Sequence, residues 1–352
     1  MTSTPIGVGI IGLGRSGWDI HAAGLAEMAD RYRVTAVADP VPERRAEAVD
    51  LLGTDAYDSA ESVIDHAEVD VVVVASPSHT HTRLGLAALA AGKHVVLEKP
   101  MAATVAEVDQ LVEAARTAGR VVTCFHNNRF EGSLLTIRTL IEDGRIGEPL
   151  LIRRCVHRYA RRRDWQTLTR FGGGELANQV SHYLDQLLSL YPDSEVELLA
   201  ADLRHTISAG DAEDHAKVVL RTADGPLLEI EGSGSMAIPQ PHWFVAGTAG
   251  AITGSMSELT VRWVDPTALP PISVDTGPAA DRQYGTGETI PWQEETITVD
   301  RRDRTEAFYD NLAEAINGRA EPAITPASVR RQIQLLGQAR ALAATPTTVT
   351  AR

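Results

Sequence analysis

The chain has 352 residues, of which 43% are hydrophobic and 23% charged, and its formal net charge is -14 at pH 7. This length is too great for one ordinary hydrophobic core and predicts two domains. The acidic balance disfavours nucleic acid or anionic lipid as a partner, because both are polyanions. Cys124 and Cys155 are the only cysteines, so neither a disulfide framework nor a thiolate metal site is expected.

Apolar stretches in the sequence are short. The longest, such as Leu84 to Gly92, are well below the roughly 20 residues of a bilayer crossing, so no transmembrane helix is expected. Met1 to Pro5 lack the cationic segment of a signal peptide. We therefore expect a cytoplasmic protein.

The first 126 residues alternate short β-branched runs with helical patterns, which predicts stacked βαβ units and a doubly wound parallel sheet. The predicted strands are Ile6 to Ile11, Val34 to Asp39, Val69 to Ala75, His94 to Glu98 and Val121 to Phe125. The predicted helices are Ser16 to Ala29, Glu43 to Leu52, His79 to Ala91 and Val105 to Ala118. This pattern is typical of an α/β Rossmann domain over residues 1–126.

From residue 127 to 352 the pattern predicts an α+β domain with a large, mostly antiparallel sheet. The predicted strands are Pro149 to His157, Glu195 to Leu203, Ala216 to Leu220, Leu227 to Gly232, Trp243 to Ala246 and Thr260 to Val264. The predicted helices are Leu134 to Glu142, Glu175 to Leu190, Thr305 to Asn317 and Ala327 to Ala343. Asp265 to Glu295 is rich in Pro, Gly, Asp and Thr and predicts a long loop.

A glycine-rich turn follows the first strand and opens the first helix, which is the context of a dinucleotide-binding fingerprint. Its residues are Gly12, Leu13, Gly14, Arg15, Ser16 and Gly17. The first glycine permits a tight turn, the second lets the pyrophosphate approach the backbone, and the third allows close helix packing. The helix dipole then favours the phosphates.

Asp39 ends the second strand, where a carboxylate can accept hydrogen bonds from both ribose hydroxyls and repel a 2′-phosphate. This favours NAD. Arg44 and Arg45 follow closely enough to bind a 2′-phosphate instead, so NADP stays open as the alternative.

Two more strand ends carry polar residues at the edge where ligands collect in such sheets. Ser76, Pro77 and His81 follow the strand from Val69, and Glu98 and Lys99 end the strand from His94; all five are predicted to line the cofactor site. His79 and His81 are i and i+2 and lack an evident third ligand, so no metal is expected. Lys99 is one of only three lysines, which suggests chemistry that requires a compact ammonium.

A glycine-rich segment, Gly172 to Gly174, precedes a predicted helix that carries a polar stripe. Asn178, His182 and Asp185 are spaced i, i+4 and i+7 and are predicted to share one face. A histidine that titrates near neutrality can take a hydroxyl proton as a hydride leaves the same carbon. A buried structural histidine is the alternative.

The glycine-rich turn, the Glu98-Lys99-Pro100 turn and the glycine-led helix through His182 and Asp185 resemble, in this order, the Gfo/Idh/MocA family. The similarity runs nearly end to end, through Phe125 to Phe130 and Phe308 to Pro322. The resemblance implies a Rossmann domain, an open sheet used for oligomerisation, and NAD(P)-linked oxidation or reduction of a sugar or polyol.

By the same resemblance, Lys99 looks like the lysine that orients the reacting hydroxyl, and His182 like the acid/base. The family usually has aspartate one turn before that histidine, whereas this chain has Asn178, which cannot carry the proton. Ser181 replaces a common glycine. Asn178 is therefore predicted to bind substrate and support catalysis, with the acid/base load on His182.

Further substrate contacts are predicted on either side of this helix. The cationic stretch Arg158 to Trp165 offers Arg163 for a carboxylate or phosphate and Trp165 for stacking on a sugar face. His126, Asn127 and Arg129 follow the last Rossmann strand and are secondary candidates.

Three functions are compatible with these residues: an NAD(P)-dependent sugar or polyol dehydrogenase, a glycoside 3-oxidising enzyme that holds NAD tightly during glycoside cleavage, and a non-catalytic NAD- and sugar-binding regulator. An exposed antiparallel sheet face would need covering, so a homodimer or homotetramer is expected.

Overall fold

The computed structural model describes residues 4–274, 277, 288–301 and 303–344. Two sheets form the protein, a parallel sheet of six strands and a mixed, mostly antiparallel sheet of eight. The predicted fold class is confirmed. None of the described helices is long and apolar enough to cross a membrane.

The first sheet has the order β3-β2-β1-β4-β5-β6 and all of its pairs are parallel. Its strands are β1 Ile6–Ile11, β2 Tyr32–Ala38, β3 Asp55–Tyr57, β4 Val71–Val74, β5 His94–Leu97 and β6 Val122–Cys124. The strand order reverses between β1 and β4, and ligands of such sheets bind at that switch point. The glycine-rich turn after β1 and the Ser76 turn after β4 meet there.

Helices connect these strands on both faces of the sheet. A π-helix, Ser16–Ala22, continues into α1 Ala23–Ala26, and it is followed by α2 Pro42–Leu52, α3 Ala60–Ile64, α4 His81–Ala90 and α5 Val105–Ala118. Helix α5 begins at a capping box formed by Thr104 and Glu107 and ends at Gly119 with φ of 62°. β3 and α3 were not predicted, because three partly exposed residues and one short turn of helix show no clear periodicity.

The second sheet has the order β14-β13-β12-β11-β7-β10-β9-β8, with one parallel pair between β7 and β10. Its strands are β7 Pro149–His157, β8 Val196–Arg204, β9 His215–Thr222, β10 Leu227–Ser233, β11 Trp243–Gly247, β12 Gly250–Gly254, β13 Glu258–Trp263 and β14 Gln293–Thr298. Helices in this half are α6 Gly132–Glu142, the π-helix Leu176–Val180 with α7 Ser181–Leu190, α8 Arg304–Ile316 and α9 Pro326–Ala344.

Two strands of this sheet correct the sequence analysis. β12 is short and has glycine at both ends, so it shows little strand character on its own. β14 begins inside the predicted loop Asp265 to Glu295. It was not predicted because its residues are mostly polar and exposed, and it pairs with β13 at the edge of the sheet. Residues 275–276 and 278–287 of that predicted loop lie outside the described residues.

The two last helices pack on both halves. Phe308 and Tyr309 of α8 belong to the core of the parallel sheet, whereas Leu335 and Leu336 of α9 belong to the core of the second sheet. The C-terminal segment therefore crosses the boundary between the halves and brings its side chains to the ends of β5 and β6.

Candidate active site

The glycine-rich turn leaves open backbone where a phosphate group could approach. Gly12 has φ of +96°, which favours glycine, and a Cβ on Gly17 would lie 1.8 Å from the Gly12 carbonyl oxygen. A Cβ on Gly14, in contrast, would meet nothing within 4 Å. The first and third glycines are therefore required by packing, and the second leaves the space that a pyrophosphate needs.

Asp39, at the end of β2, is hydrogen-bonded to this turn. Its Oδ2 accepts a hydrogen bond from the Leu13 backbone N at 2.8 Å, and its Oδ1 accepts one from the Val41 N at 2.9 Å. Arg44 Nη1 lies 3.3 Å from Oδ2. The carboxylate is thus held at the position where a ribose would lie, with a guanidinium beside it.

The turn after β4 is braced by His81. This side chain is buried, and its Nε2 and Nδ1 lie 2.9 Å and 2.8 Å from the carbonyl oxygens of Ser76 and Pro100. Both ring nitrogens contact backbone carbonyls of the protein, so His81 stabilises this turn. This does not support its predicted contact with a cofactor. Ser76 and Pro77 remain at the open side of this turn.

Glu98 is a buried carboxylate between the glycine-rich turn and Lys99. Its oxygens accept hydrogen bonds from Ser16 Oγ, from His21 Nε2 at 3.3 Å and from the Lys99 backbone N at 3.0 Å. Burial by itself raises the pKa of Glu98. The hydrogen bonds from His21 and Ser16 and the charges of His21 and Lys99 outweigh this effect and lower the pKa to about 2. His21 Nδ1 in turn lies 2.7 Å from Tyr309 Oη, so helix α8 supports this carboxylate.

Lys99 reaches across to the second half of the protein. Its Nζ donates a hydrogen bond to the backbone carbonyl of Asn178 at 3.2 Å. Burial lowers the pKa of Lys99, Glu98 raises it, and the charges of Arg15 and Arg162 lower it. A compact ammonium is therefore fixed at the junction of the two halves, with Arg162 close enough to influence it.

Asn178 lies in the π-helix Leu176–Val180, one turn before His182. Its backbone carbonyl, rather than its side chain, contacts Lys99, and its side-chain amide makes no hydrogen bond within the described residues. The structure therefore leaves that amide available to a ligand.

His182 carries a strongly perturbed imidazole. Burial, followed by the nearby charges of Lys99 and His126, holds the pKa of His182 well below its ordinary value, although Glu98 raises it. This favours the neutral ring, which has one nitrogen that can accept a proton. Its Nδ1 is buried and has no hydrogen-bond partner among the described residues.

Asp185 does not belong to the polar stripe predicted with Asn178 and His182. Both of its oxygens bind Arg129, with Nε at 2.7 Å and Nη2 at 2.6 Å. Arg129 also donates to the Ala323 carbonyl and to Ser328 Oγ. Four of its five N–H donors are used within the protein, so the structure supports a packing role for Arg129 and gives no support to substrate binding.

The cationic stretch before the glycine-rich segment has one member near the site. Arg162 Nη2 lies 2.7 Å from Asp164 Oδ2, and its charge lowers the pKa of Lys99. Arg163 and Trp165 are exposed, and no contact to Lys99 or His182 is seen for either within the described residues. Asn127 is half-buried in the 3₁₀ turn Asn127–Phe130 after β6.

The residues present fit a dinucleotide. The space at Gly14, the carboxylate of Asp39 and the turn at Ser76 lie at the switch point, and Lys99, which follows β5 of the same sheet, contacts Asn178 of the second half. Among the described residues, no three His, Cys, Asp or Glu side chains group as a metal site.

Several residues of this site were missed by the sequence analysis: His21, Tyr309, Gln332 and, as a specific member of its stretch, Arg162. Each is brought to the site by tertiary contacts, and a histidine, tyrosine or glutamine inside a helix gives no local signal. His126, a secondary candidate, is buried against Gln332 and His182.

Two family models match the chain. Residues 6–126 match the oxidoreductase family with an NAD-binding Rossmann fold, and residues 134–253 match the GFO/IDH/MocA C-terminal domain. The chain belongs to the Gfo/Idh/MocA oxidoreductase family. The resemblance predicted from the motifs is confirmed, and so is the NAD-binding Rossmann domain.

Named relatives of this Gfo/Idh/MocA protein include an inositol 2-dehydrogenase of Streptomyces avermitilis, 31% identical over 74% of this chain and 80% of that protein. The scyllo-inositol 2-dehydrogenase (NADP(+)) IolW of Bacillus subtilis is 32% identical over 53% of this chain and 52% of that protein. Two uncharacterized oxidoreductases of Schizosaccharomyces pombe match over only 60% and 63% of their own length.

Two solved structures resemble nearly the whole chain in fold. An NAD-binding protein from Listeria innocua has a TM-score of 0.80 and 27% identity, and covers 97% of this chain and 95% of its own. The WlbA dehydrogenase from Bordetella pertussis, in complex with NADH and UDP-GlcNAcA, has a TM-score of 0.76 and 21% identity over 97% of this chain and 96% of its own.

Proposed function

We propose that this protein transfers a hydride between NAD and a secondary hydroxyl of a sugar, a polyol or a sugar derivative. The observation that carries the proposal is the hydrogen bond from Lys99 Nζ to the Asn178 carbonyl, which holds an ammonium and the neutral imidazole of His182 at one junction. The inositol dehydrogenases among its relatives and the UDP-sugar of WlbA support the same substrate class.

In this mechanism, Lys99 donates a hydrogen bond to the oxygen of the reacting hydroxyl and stabilises the negative charge that develops there. The free amide of Asn178 orients the same group. His182 takes the hydroxyl proton, a step that general base catalysis typically speeds about 10²- to 10⁴-fold. The carbinol carbon loses its hydride to the nicotinamide, which is the chemistry that NAD supplies when bound.

Each half of the cofactor has its own proposed contacts. Gly12, Leu13, Gly14, Arg15, Ser16 and Gly17 would receive the pyrophosphate, Asp39 the adenosine ribose, and Ser76, Pro77 and Glu98 the nicotinamide half. Asp39 favours NAD, whereas the Arg44 guanidinium beside it could bind the 2′-phosphate of NADP. Asn127, Arg163 and Trp165 are proposed to contact the distal part of the substrate.

A screen of the purified protein tests the proposal. With NAD or NADP, some member of a panel of inositols, hexoses, uronates and glycosides should produce reduced-cofactor absorbance, and His182→Ala should abolish it. Full activity of that variant would remove His182 from the mechanism. Cofactor that co-purifies and is regenerated in place would instead favour transient glycoside 3-oxidation, whereas calorimetric sugar binding without turnover would favour a regulator.

We propose a homodimer or homotetramer built on the outer face of the second sheet. That face carries alternating charges, with Arg153 paired to Glu229 at 2.8 Å and Lys217 to Glu231 at 3.3 Å. A second copy of the same face can complement such a ladder. A monomer in light scattering would contradict this assembly.

A further inference from the structure

Gln332 of helix α9 has a defined amide orientation. Its side chain is 2% exposed, and its Nε2 donates a hydrogen bond to the backbone carbonyl of Ser181. Because a carbonyl only accepts hydrogen bonds, the amide nitrogen must face Ser181. Gln332 Oε1 therefore faces His126, whose Nε2 is 3.2 Å away.

This orientation determines the tautomer of His126. An amide oxygen only accepts, so the hydrogen must lie on His126 Nε2. Burial lowers the pKa of His126, Asp185 raises it, and Arg129 and Lys99 lower it, with the net effect of favouring the neutral ring. In a neutral ring with hydrogen on Nε2, Nδ1 is a bare acceptor. That Nδ1 is buried and has no partner among the described residues.

His182 presents the complementary group. The two rings meet edge to face, with centroids 5.9 Å apart and an interplanar angle of 88°. The buried nitrogen of His182 without a partner in the described structure is also Nδ1. One water molecule that bridges two nitrogens spans about 4.5 Å, since each hydrogen bond is about 2.8 Å long, and rings whose centroids are 5.9 Å apart can hold two of their nitrogens at that distance.

Carboxylates that could otherwise orient His182 are already engaged. Glu98 accepts from Ser16, His21 and the Lys99 backbone, and Asp185 is bound at both oxygens by Arg129. Among the described residues, His126 Nδ1 is a buried acceptor without a partner whose ring lies against that of His182.

We propose that His126 is a positioning residue that sets the tautomer of His182 through one bridging water. His182 Nδ1–H donates to the water, and the water donates to His126 Nδ1. His182 Nε2 is then left bare and directed at the substrate hydroxyl. Gln332 acts one step further back by holding His126 in the required tautomer. This inference rests on the proposed role of His182 as the base.

The tautomers can be read without turnover, by NMR of protein labelled with ¹⁵N-histidine at pH 7.5. We expect His182 to carry its hydrogen on Nδ1 and His126 on Nε2, with His126→Leu and His182→Ala supplying the assignments. In His126→Leu, His182 should become a mixture of both tautomers. A His182 ring protonated at Nε2 in the wild type, or one unaltered in His126→Leu, would overturn the proposal.

Kinetics supply a second readout. His126→Leu should lower kcat by roughly 10- to 100-fold, the range seen when a partner that orients a histidine is removed. His126→Asn, which returns a polar group near the Nδ1 position, should recover at least part of this loss. Gln186→Met is a matched control, because Gln186 is a buried glutamine of α7 that binds Asn128 and Glu131 and should leave the His182 tautomer unaltered. Equal losses in His126→Leu and His126→Asn, with an unaltered tautomer, would indicate a packing role only.

The pH profile separates positioning from packing. His182 faces Lys99, His126 and Arg304, which lower its pKa, and Glu98, which raises it. His126 faces Asp185, Arg129 and Lys99. The neutral His126 accepts, through the water, a hydrogen bond from His182 Nδ1–H that is stronger when His182 is protonated, so the pKa of His182 should fall and the acid limb of kcat/KM should move to lower pH in His126→Leu, whereas loss of a charge alone would move it to higher pH. An unmoved limb would contradict the proposal.

The two proposals fail in different ways. If His182→Ala kept full activity, the assignment of His182 as the base would be lost, whereas the wild-type tautomer spectrum would still decide the His126 relationship. The wild-type spectrum also tests the proposed role of His126 if the His126→Leu variant does not fold.

Discussion

The Nζ of Lys99 lies 3.2 Å from the carbonyl oxygen of Asn178, and this one hydrogen bond joins the end of β5 to the π-helix that leads into α7. The ammonium therefore occupies the cleft between the two sheets. A backbone acceptor can hold an ammonium there without neutralising it, so its charge remains available to a substrate oxygen.

Replacement of Lys99 should remove activity while leaving the fold intact. We expect Lys99→Met to lower kcat by at least about 100-fold, because the developing alkoxide loses its charged donor. Lys99→Arg should recover little of the lost kcat, since a planar guanidinium cannot replace a compact ammonium. Lys93→Met is the control: Lys93 also binds two backbone carbonyls, of His66 and Val69, but away from the site. NAD binding followed by fluorescence should be retained, and wild-type kcat in Lys99→Met would refute the assignment.

Glu98 should make folding sensitive to acid. Its folded-state pKa of about 2 is below the ordinary value of 4.5 for a glutamate, so its stabilising contribution is present above pH 4.5 and is lost as the pH falls toward 2. This contribution is about 3 kcal/mol in order of magnitude. Urea unfolding between pH 5 and 2.5 should therefore be less pH-dependent in Glu98→Gln than in the wild type.

The control for this acid dependence is Glu113→Gln, which removes an exposed carboxylate paired with Arg116. An exposed pair contributes little to stability. A pH dependence in Glu98→Gln equal to that of the wild type would show that this carboxylate is not responsible.

Cofactor preference should depend on Asp39 and Arg44 together. Asp39→Ser removes the charge that repels a 2′-phosphate and releases the Arg44 guanidinium, which is now 3.3 Å from the carboxylate. We expect kcat/KM for NADP to rise about tenfold or more and that for NAD to fall. The double variant Asp39→Ser/Arg44→Ala should lose most of the NADP gain, and an equal gain in both would exclude Arg44 from phosphate binding.

The Arg129–Asp185 pair should matter for stability rather than for substrate binding. Asp185→Asn leaves a buried guanidinium without its carboxylate, a change that typically costs about 3 to 5 kcal/mol. Thermal unfolding should show a clear loss, whereas KM of the protein that remains folded should stay close to that of the wild type. A large rise in KM with unaltered stability would return Arg129 to the substrate site.

Arg162 should tune the ionisation of Lys99. Its charge lowers the pKa of Lys99, so Arg162→Ala should raise that pKa and move the basic limb of the pH–rate profile to higher pH. Arg170→Ala is the comparison, because Arg170 stacks on the exposed ring of Phe171 and does not influence Lys99. Equal movement of the limb in both variants would argue against a specific effect of Arg162.

The sequence alone was sufficient for the Rossmann domain, the Gly12 to Gly17 turn, and the positions of Lys99 and His182. Local sequence patterns indicate these features. Buried parallel strands are apolar throughout, and glycines mark a turn that side chains would obstruct. Polar residues at strand ends lie at the edge of the sheet where ligands bind. The edge strands β3 and β14 were not predicted, because neither carries such a pattern, whereas the edge strands β6 and β8 were. β14 pairs along one side only and carries a polar sequence with no alternation.

Only the tertiary structure decided which groups meet. His21 contacts Tyr309, and His126 contacts Gln332, 206 positions away in the chain, so no local pattern could indicate either pair. The Asn178 carbonyl accepts a hydrogen bond from Lys99, a contact between the two halves that the sequence did not indicate. Asp185 shares the periodicity of His182, but Arg129 binds it instead. Spacing determines which face of a helix a residue occupies, whereas the partner on that face is supplied by distant segments that only folding brings together.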